Sequence, residues 1–349
     1  MKILWVSPWG DGWSIAARMR DAGNKVVYFC PDPENKNGQG YLPTVAEANW
    51  LSFAERSDLV IVDGNFPSRT TRRSWEASDY VKDLQQLRHK GITVLGPTPT
   101  TELIENDPRY LRKVLGRVGL KPSPDNIINV AKDLLGGVPV TVSCDPEGRC
   151  YLVFRHRTLL GDGNGPEVGN LGDVTIPMPN TIKLFRQVVD PLHSFLSRIG
   201  YNGYLNIGIE ALGSDLSVNS VHCRFIYPAV FAQFGSLLSL VRGKQDWGGI
   251  GLAITLLNLE QQQTEIPDNV LHSDGFFGGN VQRELDKTVA TGEFLGAVVG
   301  LDETWVGVQT KVNAQLAAIN LPGWGWRTNV GDTVVKHLQS LQEWGWLDG

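Results

Sequence analysis

The alternation of strand-type and helix-type patterns over the first part of the chain constrains the fold more than any other feature. Lys2–Val6 is a short apolar run. Trp13–Ala22 places Ile15, Ala16, Met19 and Ala22 at helical spacing, and Lys25–Phe29 is a second strand. Asp58–Asp63 reads DLVIVD, and its uninterrupted Leu59–Val62 core is the pattern of a strand covered on both faces. Asp79–His89 is helical through Val81, Leu84 and Leu87, and Ile92–Leu95 is a fourth strand ended by Gly96-Pro97. Strands separated by helices predict a parallel, doubly wound sheet, the α/β class.

The texture then changes. Leu103–Val118 reads as one further helical stretch, and Pro122 and Pro124 break it. Val138–Ser143 and Tyr151–Arg155 alternate as strands around an Asp145–Gly148 turn. The glycine-dense run Gly161-Asp162-Gly163-Asn164-Gly165-Pro166, followed by Gly169 and Gly172, reads as a loop. Pro191–Ile199 and Phe231–Val241 are predicted helices; Tyr204–Glu210, Ser217–Arg224 and Glu293–Val299 are predicted strands. Trp305, Val308, Val312, Leu316 and Ile319 fall on one helical face, a core-packing stripe. A chain of 349 residues exceeds one compact core. We expect three domains, 1–122, 123–247 and 248–349.

Charge and composition remove several classes of function. The net charge is −5 and no basic block occurs, so a nucleic-acid grip is not expected. The opening MKILWVSPWGDG has no charged n-region and no cleavage-type small residues, and no run approaches the roughly 18 apolar residues of a membrane helix. A cytoplasmic protein is the expectation. The four cysteines, Cys30, Cys144, Cys150 and Cys223, form no C-x-x-C. Cys144 and Cys150 flank the hairpin turn and are expected to be reduced thiols. Late tryptophans (Trp305, Trp324, Trp326, Trp344 and Trp346) serve packing or a contact with a protein partner or second copy.

At the first strand-to-helix turn, Gly10 and Gly12 in WGDGW let backbone N–H groups approach an anionic cofactor, or simply make a tight turn. This turn is one of four segments that stand in order. The others are Leu160–Gly172 (LGDGNGPEVGNLG), Gly203–Ile207 (GYLNI) with Val221–Pro228 (VHCRFIYP), and Trp324–Gly331 (WGWRTNVG). Together they resemble glycinamide ribonucleotide synthetase (phosphoribosylamine–glycine ligase), of the ATP-grasp superfamily. The resemblance implies an N-terminal pre-ATP-grasp sheet, an ATP-grasp-like α+β core and a small C-terminal α+β domain. It implies ATP and magnesium as cofactors, and a phosphorylated ribose-type small molecule as ligand. It assigns that ligand to Gly161–Pro166 with the Asp162 carboxylate, and to Arg224 and Arg327, whose guanidinium forks suit phosphate or carboxylate.

The sequence also departs from that family. Only Asp125–Gly136 separates Pro124 from the next matching segment, where the family places the subdomain that covers ATP. A strand typically takes about five or six residues, so two strands and a helix do not fit there. Ser220 and His222 replace an acid and an Asn that hold magnesium in the family, and a serine hydroxyl is a poor ligand for that ion. His222 is expected to be a hydrogen-bonded residue, and Glu210 is the nearest carboxylate. The sequence therefore reads in three ways: a divergent carbon–nitrogen ligase, a sugar-phosphate or nucleotide-binding protein on a decayed ligase fold, or an assembly subunit.

Overall fold

The structure, a computed structural model, describes residues 1–66, 69–70, 75–76, 78–123, 137–158, 167–242, 249–260, 263–290, 292–319 and 321–349. The expected lid-replacing stretch, Asp125–Gly136, and the predicted ligand loop, Gly161–Pro166, lie outside the described residues.

The N-terminal part is the parallel sheet that the alternation predicts. Its strands are β1 (Lys2–Val6), β2 (Lys25–Phe29), β3 (Leu59–Val62) and β4 (Thr93–Leu95), in the order β2-β1-β3-β4. The register pairs Ile3 with both Val26 and Leu59. Side chains alternate across the sheet. Ile3 and Trp5 enter a cluster with Ile15 and Met19 of α1 (Trp13–Asp21) and Ile104 of α4 (Pro99–Asn106). Leu4 and Val6 enter another with Trp50 of α2 (Trp50–Ala54) and Val81, Leu84 and Leu87 of α3 (Asp79–His89). Each such fully buried aliphatic side chain contributes about 1.5–3 kcal/mol.

The predicted helix over Leu103–Val118 is instead two, α4 and α5 (Pro108–Arg117). Pro108 lacks an N–H and pushes Asp107 into extended backbone (φ −115°, ψ 102°). The Asp107 carboxylate then caps α5, accepting from Arg109 N at 2.9 Å and Tyr110 N at 3.3 Å. The end of α4 thereby places Glu105 against His222 and Cys223.

The rest of the chain is built on one long antiparallel sheet. Its strands are β5 (Val138–Cys144), β6 (Cys150–Thr158), β7 (Glu167–Met178), β8 (Leu205–Leu212), β9 (Asp215–His222), β10 (Ile250–Asn258), β11 (Phe276–Gly278) and β12 (Phe294–Asp302). Their order is β9-β8-β5-β6-β7-β10-β12-β11, and Trp324–Gly325 pairs with β10. The sheet crosses position 248 unbroken, since Gly172 of β7 pairs with Ile254 of β10. Between β7 and β8 runs α6 (Lys183–Arg198), and α7 (Ala229–Ala232) and α8 (Phe234–Arg242) follow β9. Trp305–Ala318, α9, buries the predicted Val308, Val312 and Leu316.

Two expectations fail for physical reasons. α6 begins well before Pro191, because its buried stripe from Leu184 and Phe185 to Phe195 and Leu196 outweighs the proline in its interior. Gly169 and Gly172 lie in strand β7, not in a loop. A Cβ on Gly172 would meet a Val330 methyl at 2.8 Å and Ala253 O at 2.9 Å, so this glycine permits close packing. Among the described residues no helix is long and apolar enough to cross a membrane.

Candidate functional site

The candidate site is built where the C-terminal ends of β1 and β3 meet the segment after β9. Asp63 ends β3 and is buried at 2% exposure. Its Oδ2 accepts from Ser7 Oγ at 2.6 Å, Trp5 Nε1 at 3.0 Å and the Tyr227 hydroxyl at 3.2 Å. Burial pushes the carboxyl up to about 7, and the hydrogen bonds from Ser7 and Trp5 only partly oppose it. Ser7 Oγ also accepts from Gly12 N at 3.2 Å, so the turn before α1 is tied to Asp63.

Gly12 is required by this contact, not by its backbone, which has φ −91°. A Cβ there would lie 1.8 Å from Asp63 Oδ2, 2.6 Å from Trp5 Nε1 and 2.8 Å from the Tyr227 hydroxyl. Asp63 is held by all its donors and has nowhere to swing. Gly12→Ala is therefore expected to lower the unfolding free energy by about 3 kcal/mol, read as a urea midpoint shift. An unchanged midpoint would show that the turn relaxes freely.

The second part of the site converges on Glu105, near the end of α4. Its Oε1 accepts from Arg224 Nε at 2.5 Å and contacts His222 Nδ1 at 2.9 Å, and its Oε2 accepts from Cys223 N at 3.3 Å. Burial works to raise this carboxyl, but the hydrogen bond from His222 and the charge of Arg224 outweigh it and hold Glu105 down at about 2. His222 is thus the hydrogen-bonded residue that the sequence suggested. Asn206 Nδ2 donates to Arg224 O at 2.6 Å, and Phe225 N donates to Asp63 O at 3.2 Å, which joins the two halves of the site.

Arg157 follows Arg155 by two residues in β6, at the register shift between His156 and Thr158. Arg155 stands 3.7 Å from Asp173 of β7. Its proton affinity is lowered by burial, raised by Asp173, and lowered by both Arg157 and Arg224. Arg155 is therefore close enough to Arg157 and to Arg224 to feel both charges. Asp173 is fully buried; burial raises its carboxyl to about 6 against the pull of Arg155. Its Oδ2 accepts from Ala229 N at 2.8 Å and Asn170 Nδ2 at 2.7 Å. Among the described residues, Arg155 Nε, Asp173 Oδ1 and Asn170 Oδ1 are buried without a hydrogen-bond partner. Asp11, in the turn before α1, is raised to about 6 by burial and drawn back by Arg224.

Of the predicted site residues, Arg224 lies at the centre of this cluster. Gly10 (φ +75°) makes the turn, donating from its N–H to Ser7 O at 3.2 Å, and Gly12 abuts Asp63. Gly161, Asp162, Gly163, Asn164, Gly165 and Pro166 lie outside the described residues. Arg327 donates to Asn329 Oδ1 at 2.6 Å and its charge is felt by His156, which alternation points away from Arg155. These contacts do not join Arg327 to Arg224. Ser220 Oγ donates to Asn219 Oδ1 at 3.2 Å. Among the described residues no three His, Cys, Asp or Glu side chains are placed to hold a metal ion. Sequence reasoning missed Asp11, Asp63, Glu105, Arg155, Arg157, Asn170 and Asp173. The one local signal was an acid closing the buried run of DLVIVD.

No family model matches the sequence. No curated protein matches it. Solved structures do match in shape. Phosphoribosylamine–glycine ligase from Thermotoga maritima superposes with a TM-score of 0.67 at 13% identity, over 94% of this chain and 100% of that one. N5-carboxyaminoimidazole ribonucleotide synthetase from Thermus thermophilus gives 0.56 at 14% identity, over 92% and 99%. The biotin carboxylase of Campylobacter jejuni, in a complex with β,γ-ATP, gives 0.55 at 12% identity, over 93% and 92%. The chain has the ATP-grasp ligase fold, as its sequence motifs implied.

Proposed function

We propose that the protein binds a phosphorylated ribose-type metabolite at this site and does not by itself join substrates with ATP. The observation that supports the binding is that Arg155, paired with Asp173, also feels the charges of Arg157 and Arg224. Like charges gathered against a low-dielectric floor repel, and an anion of two charges relieves that repulsion. Glu105 and Asp173 offset two of the three positive charges, and Asp11, raised to about 6 like Asp173, is mostly ionised at pH 7 and takes up a proton as the pH falls. The unsatisfied Asp173 Oδ1 and Asn170 Oδ1 are acceptors suited to ribose hydroxyls.

The residues present do not fit the magnesium that the fold family implies. Ser220 is a neutral hydroxyl bonded to Asn219, and His222 is committed to Glu105. Magnesium takes hard, mostly charged oxygen ligands. The shortness of Asp125–Gly136 supports the same reading, since phosphoryl transfer depends on groups that enclose and neutralise the phosphates. Read this way, residues 1–122 and 123–247 supply the site and 248–349 supports it. One finding favours a retained ligase instead, namely the full coverage of the Thermotoga maritima chain.

Thermal unfolding separates the two. Ribose 5-phosphate at about a hundredfold its Kd is expected to add about 2.7 kcal/mol to stability, with no shift from ATP and magnesium. Arg157→Ala, at an exposed side chain, and Arg224→Ala are each expected to weaken ribose 5-phosphate by about thirtyfold or more. A shift with ATP and magnesium alone would return the protein to the ligases. A ribose 5-phosphate shift that survives both variants would move the site elsewhere.

A further inference from the structure

The tip of the β5–β6 hairpin carries a second centre, separate from the candidate site. Cys144 and Cys150 are register partners, and their sulfurs are 2.7 Å apart. Both are free thiols and both are buried. The turn between them is firmly held. Asp145 Oδ1 accepts from the N–H groups of Glu147 and Arg149 at 2.9 Å, and Arg149 Nε donates to Asp145 Oδ2 at 2.5 Å. Arg149 also reaches Ser239 of α8 at 2.6 Å. The two thiols line a partly open cavity of about 200 Å³, whose wall includes Asp190 and His193 of α6 and Asn202.

We propose that Cys144 and Cys150 are a redox-active dithiol, converted to an intrachain disulfide by exchange with a low-molecular-weight disulfide such as glutathione disulfide. Thiols six residues apart on facing strands differ from thiols packed by chance. The fold holds them in contact, and bond formation moves each sulfur by only a fraction of an ångström. The cavity gives a small reagent a way to reach them. The bond with Cys150 and burial hold the proton on Cys144, so Cys144 takes the second, resolving step. Cys150 attacks one sulfur of glutathione disulfide, releasing one glutathione thiolate, which takes up a proton. Cys144 then gives up its proton and displaces the second glutathione from the mixed disulfide. Two protein thiols and one glutathione disulfide become one intrachain disulfide and two glutathione thiols.

The test equilibrates the full chain in glutathione buffers of graded oxidised-to-reduced ratio. Samples are quenched by denaturation in iodoacetamide and digested for peptide mass analysis. The expected product links Cys144 to Cys150, with Cys30 and Cys223 still alkylated, and dithiothreitol reverses it. The equilibrium constant for closing the bond is expected to be about tenfold or more larger in the folded chain than in urea, where the pair has only the effective concentration of a short flexible linker. An equal or smaller constant in the folded chain would overturn the assignment. So would preferential oxidation of Cys30 or Cys223, or a folded chain that stays reduced after the unfolded chain has equilibrated.

Discussion

Glu105→Ala is expected to lower the unfolding free energy by about 3–5 kcal/mol at pH 7. Glu105 is the one carboxylate that faces Arg224, His222 and the Cys223 N–H together, and its side chain is only 6% exposed. Removing it leaves a guanidinium in a partly buried place without its counter-charge. It also frees the segment after β9, which carries the Phe225 N–H to Asp63 O. The pH dependence gives a second readout. An unfolded Glu takes its proton near 4.5, whereas Glu105 holds out to about 2 in the folded chain. The stability this group contributes is therefore fully present above 4.5 and is lost as the pH falls through 2. Glu105→Gln keeps an acceptor for the Cys223 N–H but cannot ionise, so its share of the acid-side loss should vanish. Urea midpoints at pH 2, 4 and 7 decide the matter. A Glu105→Ala protein within about 1 kcal/mol of the parent at pH 7 would mean that the ion pair is solvent-screened and structurally idle.

Asp63→Asn is expected to act in the opposite direction, over a different pH range. The folded chain holds the Asp63 proton to about 7, while an unfolded Asp releases it near 3.8. Between those values the folded state binds more protons, so stability declines as the pH rises, and it levels off above 7. The part of that decline due to Asp63 is on the order of 4 kcal/mol. An Asn can still accept from Ser7, Trp5 and Tyr227 through its carbonyl oxygen, and it carries no charge into the buried site. Relative to the parent, the variant should gain stability from pH 4 to about 7 and hold that gain above it. Asp173 and Glu102, also raised by burial, are present in both proteins and cancel in the comparison, whereas Asp11, whose charge acts on Asp63, shifts with it. Parallel stability curves for parent and variant would place the Asp63 proton elsewhere.

The legible parts of this chain were the locally encoded ones. DLVIVD and the stripe of Val308, Val312 and Leu316 announced a buried strand and a helix, because period and burial are written in neighbouring residues. Pro191 inside α6 and Gly172 inside β7 misled for a common reason: tertiary packing overrode the local preference of one residue. The site was less readable still. Glu105 and Arg224 are 119 residues apart and meet only because Pro108 ends α4 where it does. Arg224 could be singled out through a motif resemblance, whereas Arg155 and Asp173 owe their pairing to the β6–β7 register, which no single segment encodes.

Arg155 and Asp173 stand on strands that are hydrogen-bonded to neighbours on both sides, β5 and β7 for one, β6 and β10 for the other. Amide protons in such interior strands exchange with solvent only through large-scale opening. The guanidinium–carboxylate floor is thus an immobile reference, and any breathing that admits the proposed metabolite would fall to the turns carrying Asp11 and Arg224. Selectivity set by the floor would be geometric and temperature-insensitive, while the speed of capture would follow how often those turns part.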